Sequence, residues 1–472
     1  MPPIPRPNPE LMTIGDSLAQ GCRSLSVKAE LCQQSWSARL AQAQGWEYIP
    51  PDFPRPILID LEEEIRRLDT LTLSVDNFRF RGVKDRIRDN LAAWLSDPPD
   101  PDHDCFDNLS LSGALVYDLY SRSAGSSAAT VRALTPQGAD TPIALKTLGD
   151  LHISLNGRFT LNPARVPEFD DFTPLDWVRL RRPKRLFVQV GHNHGLYEIG
   201  SQAEDVSFTQ PGGDGLHGGY WDQWQTLAAA LAALPAEVEL IVVALLPRVG
   251  AVANLEPREA SRIDGYAPTY GPVFSLSTAI LPGERLADID RQIAQANDRI
   301  QQVVGGAAAA AGNAGRVKFL DVFSLLGRFD FKNSLDAGQL LPVAPDVAVD
   351  NRYVSGRFHL FPLNAPGWRL SAGGLQSVDG MHPSGCGYAQ LAIETAKLLG
   401  LPAPDSSLLQ TAFVEDTLLS HYPPELRAVT SLFQIARDLQ RSNAFFMSKQ
   451  TRLTDDLHAG ELVQALQNLF HA

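Results

Sequence analysis

The sequence predicts an α/β fold with a parallel central sheet. Short apolar runs of strand length alternate with longer segments of helical period, which signals a parallel α/β sheet. Several runs also end in glycine followed by a polar residue, where α/β sheets bind ligands. The first strand is residues 11–14 (LMTI). Residues 185–190 (RLFVQV) and 239–245 (ELIVVAL) are the clearest buried strands, and residues 317–322 (VKFLDV) form another. Helices are predicted over 35–43, 220–234, 286–311 and 387–399. The alanine run at 307–311 is strong helix former, stopped by Gly312-Asn313.

At 472 residues the chain has room for two or three domains, or for one large domain with insertions. We read one domain over residues 1–402, with long insertions at 50–101, 198–219, 248–282 and 328–375. A charged helix is predicted at 61–68. After Pro402 the character changes, and residues 403–472 read as a helical extension with amphipathic helices at 423–440 and 455–470. There is no internal repeat.

Composition excludes some partners. A balance of 41 basic to 54 acidic residues gives a formal charge of −13, which repels nucleic acid and anionic membranes. The densest basic run, 179–185, precedes a predicted strand and reads as a solvated helix end rather than a phosphate site. No apolar stretch of the ~7–15 residues a secretory signal needs precedes Gly15. No segment reaches the ~18 apolar residues of a membrane span. Cys22, Cys32, Cys105 and Cys386 make no metal spacing and read as free thiols of a reducing compartment. The expected location is therefore cytoplasmic, although a trimmed secreted form would read the same way.

Four short motifs carry chemistry. In Ile14-Gly15-Asp16-Ser17-Leu18 a strand ends in glycine and a serine follows where a helix can start, which exposes a hydroxyl beside backbone N–H groups. The same residues also suit a plain helix N-cap. In Asp379-Gly380-Met381-His382-Pro383 a carboxylate three residues before a histidine can reach back to its Nδ1 and fix the tautomer, as a serine-activating histidine requires. A loop histidine bonded to a nearby aspartate reads alike. Gly191-His192-Asn193 closes a buried strand with a side-chain amide that can donate to a developing oxyanion, or form an Asx turn. Ser112-Gly113-Ala114 places a glycine N–H where a ligand can approach closely, or marks an ordinary loop.

Taken together, the four motifs resemble the blocks of the SGNH (GDSL) hydrolase superfamily, in the same order along the chain. Gly15-Asp16-Ser17-Leu18 matches the GDSL block, Ser112-Gly113-Ala114 the glycine block, Gly191-His192-Asn193 the GxN block and Asp379-Gly380-Met381-His382 the DxxH block. The matched blocks bracket residues 14–399. The resemblance implies a three-layer, flavodoxin-like sandwich and an ester hydrolase with an acyl-enzyme intermediate. Ser17 would be the nucleophile, His382 the general base and acid, and Asp379 the orienting carboxylate. The N–H groups of Ser17 and Gly113 and the Asn193 side chain would form the oxyanion hole, with no metal or organic cofactor. The substrate would be a small-molecule or lipid-like ester. One position departs from the family pattern: the aspartate that usually follows the asparagine is His194, which brings an imidazole near the site as a support or a substrate contact.

Other readings are weaker. The G-x-S-x-G elbow of α/β-hydrolases is absent. His192 and His194 lack the HExxH context of a zinc site. The glycines at 212–219 match neither a Walker loop nor a dinucleotide fingerprint and read as a flexible loop near the site. The aromatic-rich pieces 266–274 and 358–368 either wall an apolar pocket or pack as core under long loops. Acyl transfer to an alcohol, and a non-catalytic binding protein that keeps the fold, stay open beside hydrolysis.

Overall fold

The computed structural model describes residues 5–60, 62–63, 78–135, 147–213, 215–259, 261–272, 277, 279–332, 339–344, 347–352, 374–377, 379–405 and 407–420. Four strands, β1 (Leu11–Gly15), β2 (Arg185–Gln189), β3 (Leu240–Ala244) and β4 (Val317–Leu320), lie side by side in that order, all parallel. These are the four strands expected from the apolar runs. Residues 107–111 run along the free edge of β1. There the Thr13 N–H donates to the Asp107 carbonyl (2.8 Å), and the N–H groups of Leu109 and Leu111 donate to the carbonyls of Thr13 (2.7 Å) and Gly15 (2.9 Å).

The strands are apolar on both sides because both faces are covered. Met12, Ile14, Val188 and Val243 belong to one core with Trp177, Trp224, Leu227 and Ile289. Leu11, Phe187, Val242 and Leu320 belong to another with Trp36, Leu40, Tyr388 and Leu391. Successive residues of a strand point to opposite faces, so the two sets alternate along each strand. The Trp36 ring stacks on Phe187 with centroids 4.8 Å apart.

The helices that matter to the site are α1 (Ser17–Gln20), α2 (Trp36–Gln44), α3 (Leu148–Leu161), α4 (Tyr220–Ala232), α5 (Gly283–Ala310), α6 (Gly385–Leu399) and α7 (Ser407–Ser420). Helices α2, α4, α5 and α6 match the expected ones. Helix α3 was not anticipated, since eleven of its fourteen residues are buried and no polar face marks it in the sequence.

The insertions carry structure of their own. Phe78–Ser96 is helical; Leu255–Pro257, Thr269–Pro272 and Leu281–Pro282 form a small antiparallel sheet; Leu341–Ala344 pairs with Val347–Val349. Residues past the expected boundary at 402 pack closely on α6: Asp416 on α7 accepts the N–H groups of Gly385 and Cys386, both at 2.9 Å. The helices expected at 423–440 and 455–470, the segment 358–368 and all but residues 62–63 of the charged helix at 61–68 lie outside the described residues.

The basic run at 179–185 is only partly a solvated helix end. Arg181 is fully buried and donates to Asp107 (2.6 Å) and to the Phe106 carbonyl (2.6 Å), fastening the edge segment to the sheet. An arginine buried at a helix end needs such acceptors, and no periodicity announces them. All four cysteines are free and buried, and no described helix is long and apolar enough to cross a membrane.

Candidate active site

The site lies at the C-terminal ends of β1 and β2. Strand β1 stops at Gly15. Asp16 then adopts an extended conformation and caps α1, its Oδ1 accepting the Leu18 N–H at 3.1 Å, so that Ser17 is the first residue of the helix.

The turn 377–382 delivers the histidine. The Ser377 N–H donates to the His382 carbonyl (2.8 Å) and the Gly380 N–H to the Ser377 carbonyl (2.9 Å). Gly380 sits at φ +67°, and a Cβ there would lie 2.7 Å from the Asn254 nitrogen, so only glycine fits the turn. The Asp379 carboxylate accepts from Ser377 Oγ (3.0 Å), the Met381 N–H (2.8 Å) and the His382 N–H (2.9 Å) at Oδ1. At Oδ2 it accepts from the Leu25 N–H (2.9 Å) and His382 Nδ1 (2.7 Å). On the far side of the ring, His382 Nε2 is 3.0 Å from Ser17 Oγ. Because a carboxylate only accepts, Nδ1 carries the proton, and a neutral ring presents a lone pair at Nε2 to the serine hydroxyl.

Electrostatics follow from this geometry. Burial works to raise the Asp379 carboxyl, but the His382 ring and the N–H donors outweigh it and hold the group below the usual carboxylate range. Burial likewise opposes charge on His382, yet the Cys22 sulfur and the Asp379 carboxylate prevail, and the imidazole lies well above its ordinary value.

The segments that carry Gly113 and Asn193 are fixed onto this frame. Gln20, in the turn of helix after Ser17, accepts the Ser112 N–H (2.8 Å) and exchanges two bonds of 2.8 Å with Asn156 of α3. Gly113 follows at φ +92°, and the next carbonyl, that of Ala114, accepts from Asn193 Nδ2 at 2.9 Å. One amide hydrogen of Asn193 is thus used in placing it, and Nδ2 carries a second. Asn193 sits in a single 3₁₀ turn, His192–His194, entered through Gly191 at φ +112°.

Of the two roles open to His194, support or substrate contact, its surroundings fit support. It is 1% exposed, and both ring nitrogens are held by backbone: Nδ1 donates to the Gln210 carbonyl (2.6 Å) and Nε2 accepts the Val116 N–H (3.1 Å). Burial, only partly offset by the Gln210 bond, pushes its pKa down to about 4. The ring is a neutral tie between the asparagine turn and the glycine segment.

Sequence reasoning missed two further groups. His192, read there as one of a plain loop pair, places Nδ1 2.5 Å from Asp16 Oδ2. The Gln20–Asn156 pair had no signal at all, since its partners are 136 residues apart. An apolar cavity of about 70 Å³ lies alongside, its lining including Leu18, Val252, Leu326, Phe329, Met381 and Pro383. Chain neighbours of both Ser17 and His382 are therefore in its wall. Tyr270, from the aromatic stretch 266–274, is buried core instead, and Tyr266 bonds Asp290 (2.7 Å) and Arg248 (2.6 Å). Among the described residues no group of three or more His, Cys, Asp or Glu could hold a metal ion. In comparisons with known proteins, no family model and no curated protein matches the chain.

Proposed function

We propose that the chain is a serine ester hydrolase of the SGNH/GDSL kind. The observation that carries this reading is the relay Asp379–His382–Ser17, with contacts of 2.7 and 3.0 Å in a buried site at the head of a parallel sheet. Ser17 lies 365 positions from His382 in the chain, and it meets the Asp379–His382 pair with the polarity that nucleophilic catalysis needs.

In the first step Ser17 Oγ bonds to the ester carbonyl carbon while its proton passes to His382 Nε2. The negative charge that forms on the carbonyl oxygen is met by the Ser17 and Gly113 N–H groups and by Asn193 Nδ2. Collapse of this adduct breaks the C–O bond, and the alcohol leaves with the proton from His382. Water then gives a proton to His382 and its oxygen attacks the acyl carbon, releasing the acid and restoring the serine. Asp379 stays ionised and steadies the charged ring. The apolar cavity beside Leu18 and Met381 favours an ester with an apolar acyl or alcohol part.

The finer fold assignment is a three-layer, flavodoxin-like sandwich. Counting residues 107–111 as an edge strand gives the chain order 2-1-3-4-5 across the sheet, and the two core clusters supply the covered faces.

The test is covalent labelling with a fluorophosphonate, with turnover of p-nitrophenyl esters from C2 to C16. The wild type should label at Ser17 and hydrolyse part of the series, and Ser17→Ala should do neither while unfolding with close to wild-type stability, because the cap of α1 is Asp16 and stays in place. Turnover that survives in a folded Ser17→Ala removes the assignment.

A further inference from the structure

Asp16 has no solvent exposure and stands one residue from the nucleophile. One of its oxygens is spent on the Leu18 N–H, which sets the N-terminal turn of α1 and with it the Ser17 N–H. The other oxygen meets His192 Nδ1 at 2.5 Å across 176 residues of chain. His192 is itself 7% exposed, and its Nε2 is buried without a hydrogen-bond partner among the described residues. The ring is therefore directed by Asp16, and burial leaves it little freedom to turn away. His192 is also the residue directly before Asn193 in the same short turn.

Two consequences follow. The contact fastens the turn that carries Asn193 to the turn that carries Ser17, and the Asn193 bond to the Ala114 carbonyl then sets the amide against the glycine segment. It also sets a proton donor against a buried carboxylate close to where negative charge forms in the transition state. Without that donor the full charge of Asp16 would oppose the oxyanion in a medium that screens it poorly.

We infer that His192 is a positioning residue of the oxyanion hole, acting through Asp16 on the placement of Asn193 and on the charge the hole must accept. The inference rests on the Ser17 hydrolase reading. Its neighbour His194 ties the same turn to backbone, whereas His192 ties it to the nucleophile's own cap.

The experiment is a set of variants assayed on p-nitrophenyl esters and with a fluorophosphonate. His192→Ala should lower kcat about 10–100-fold with KM little changed, because the loss falls on the transition state, and should slow Ser17 labelling in parallel. His192→Asn, whose Nδ2 reaches the place of Nδ1, should recover most of the rate. In an Asn193→Ala background His192→Ala should cost clearly less than it does alone, since placement of the amide no longer counts and only the Asp16 charge is left to oppose the oxyanion. Asp16→Asn should restore part of the rate of His192→Ala by removing the uncompensated charge. Full additivity with Asn193→Ala, or unchanged kcat and labelling in a folded His192→Ala, overturns the inference. If His192→Ala does not fold, His192→Phe, which keeps the bulk of the ring without its donor, takes its place in the same cycle and decides between the same outcomes. Failure of the underlying reading is distinguishable: the wild type then fails to label at Ser17, and the inference falls with it.

Discussion

Replacing His194 by glutamine tests how the asparagine turn is held. The native ring is neutral, since Nε2 must keep its lone pair to accept the Val116 N–H while Nδ1 donates to the Gln210 carbonyl. Its pKa falls from 6.5 to about 4 on burial. The group is thus depressed in the folded state, and between those values the unfolded chain binds the proton that the folded chain refuses. Stability contributed by the neutral ring is complete above pH ~6.5 and is lost as pH falls toward 4. A shift of that size corresponds to about 3 kcal/mol in all, of which about 2 kcal/mol disappears between pH 7 and pH 5. Glutamine carries one acceptor and one donor at similar reach and does not titrate. In urea unfolding at pH 7, His194→Gln should be less stable than wild type by about 1 kcal/mol, the size of a weakened hydrogen bond. By pH 5 the difference should have shifted by about 2 kcal/mol and so reversed, leaving His194→Gln the more stable by about 1 kcal/mol. The comparison must be between proteins, because His152, buried in α3 and pushed down to about 3, destabilises both over the same range. Parallel stability curves for the two proteins would refute the assignment of a neutral, backbone-bound ring. His194→Asp, which restores the family residue, sets a carboxylate against the Gln210 carbonyl and should be the less stable of the two variants.

Two further outcomes follow from the site. His382 must be neutral to accept the Ser17 proton, and its pKa is raised well above 6.5, so kcat/KM should be low at pH 6 and reach half its maximum only above the usual histidine range. Stability should move the other way: a raised pKa contributes stability in full below ~6.5 and loses it as pH rises through the folded value, so melting should fall while the rate climbs, and His382→Gln should remove both trends. Asn193→Ala should lower kcat about 10²–10³-fold with little change in melting, as expected for one lost oxyanion donor; a nearly silent variant would remove Asn193 from the hole.

Much of this was legible in the sequence for a physical reason. A parallel strand buried on both faces needs an apolar stretch at its centre, and residues 186–188 (LFV) and 240–245 (LIVVAL) are such stretches, so β2 and β3 were readable within a residue or so. The placing of Ser17 at a strand-to-helix turn and of Asp379 against the His382 ring was readable because both depend on local chemistry, a glycine closing a strand and a carboxylate three residues before a ring. What escaped was set by distant partners. Helix α3 is wrapped by other elements and so carries no amphipathic stripe, yet its Asn156 supplies the bonds that fix Gln20. Arg181 looked like one more solvated base until the edge segment brought Asp107 to it.

The histidines show the limit most clearly. His192, His194 and His382 are one residue type, and the first two are separated by a single position, yet each has a different kind of partner. His382 stands between a carboxylate and a hydroxyl and can pass a proton from one side while charged against the other. His194 stands between a carbonyl and an N–H, which keeps the ring neutral until the pH falls toward 4. His192 bonds Asp16, its one hydrogen-bond partner among the described residues. The loop histidine pair suggested by the spacing is therefore two separate devices, because a 3₁₀ turn sends residues i and i+2 in different directions. The partners lie 78 and 176 residues away, at Val116 and Asp16, so the division of labour is written in the folding of β1 and the glycine segment against β2 rather than in the HNH tripeptide itself.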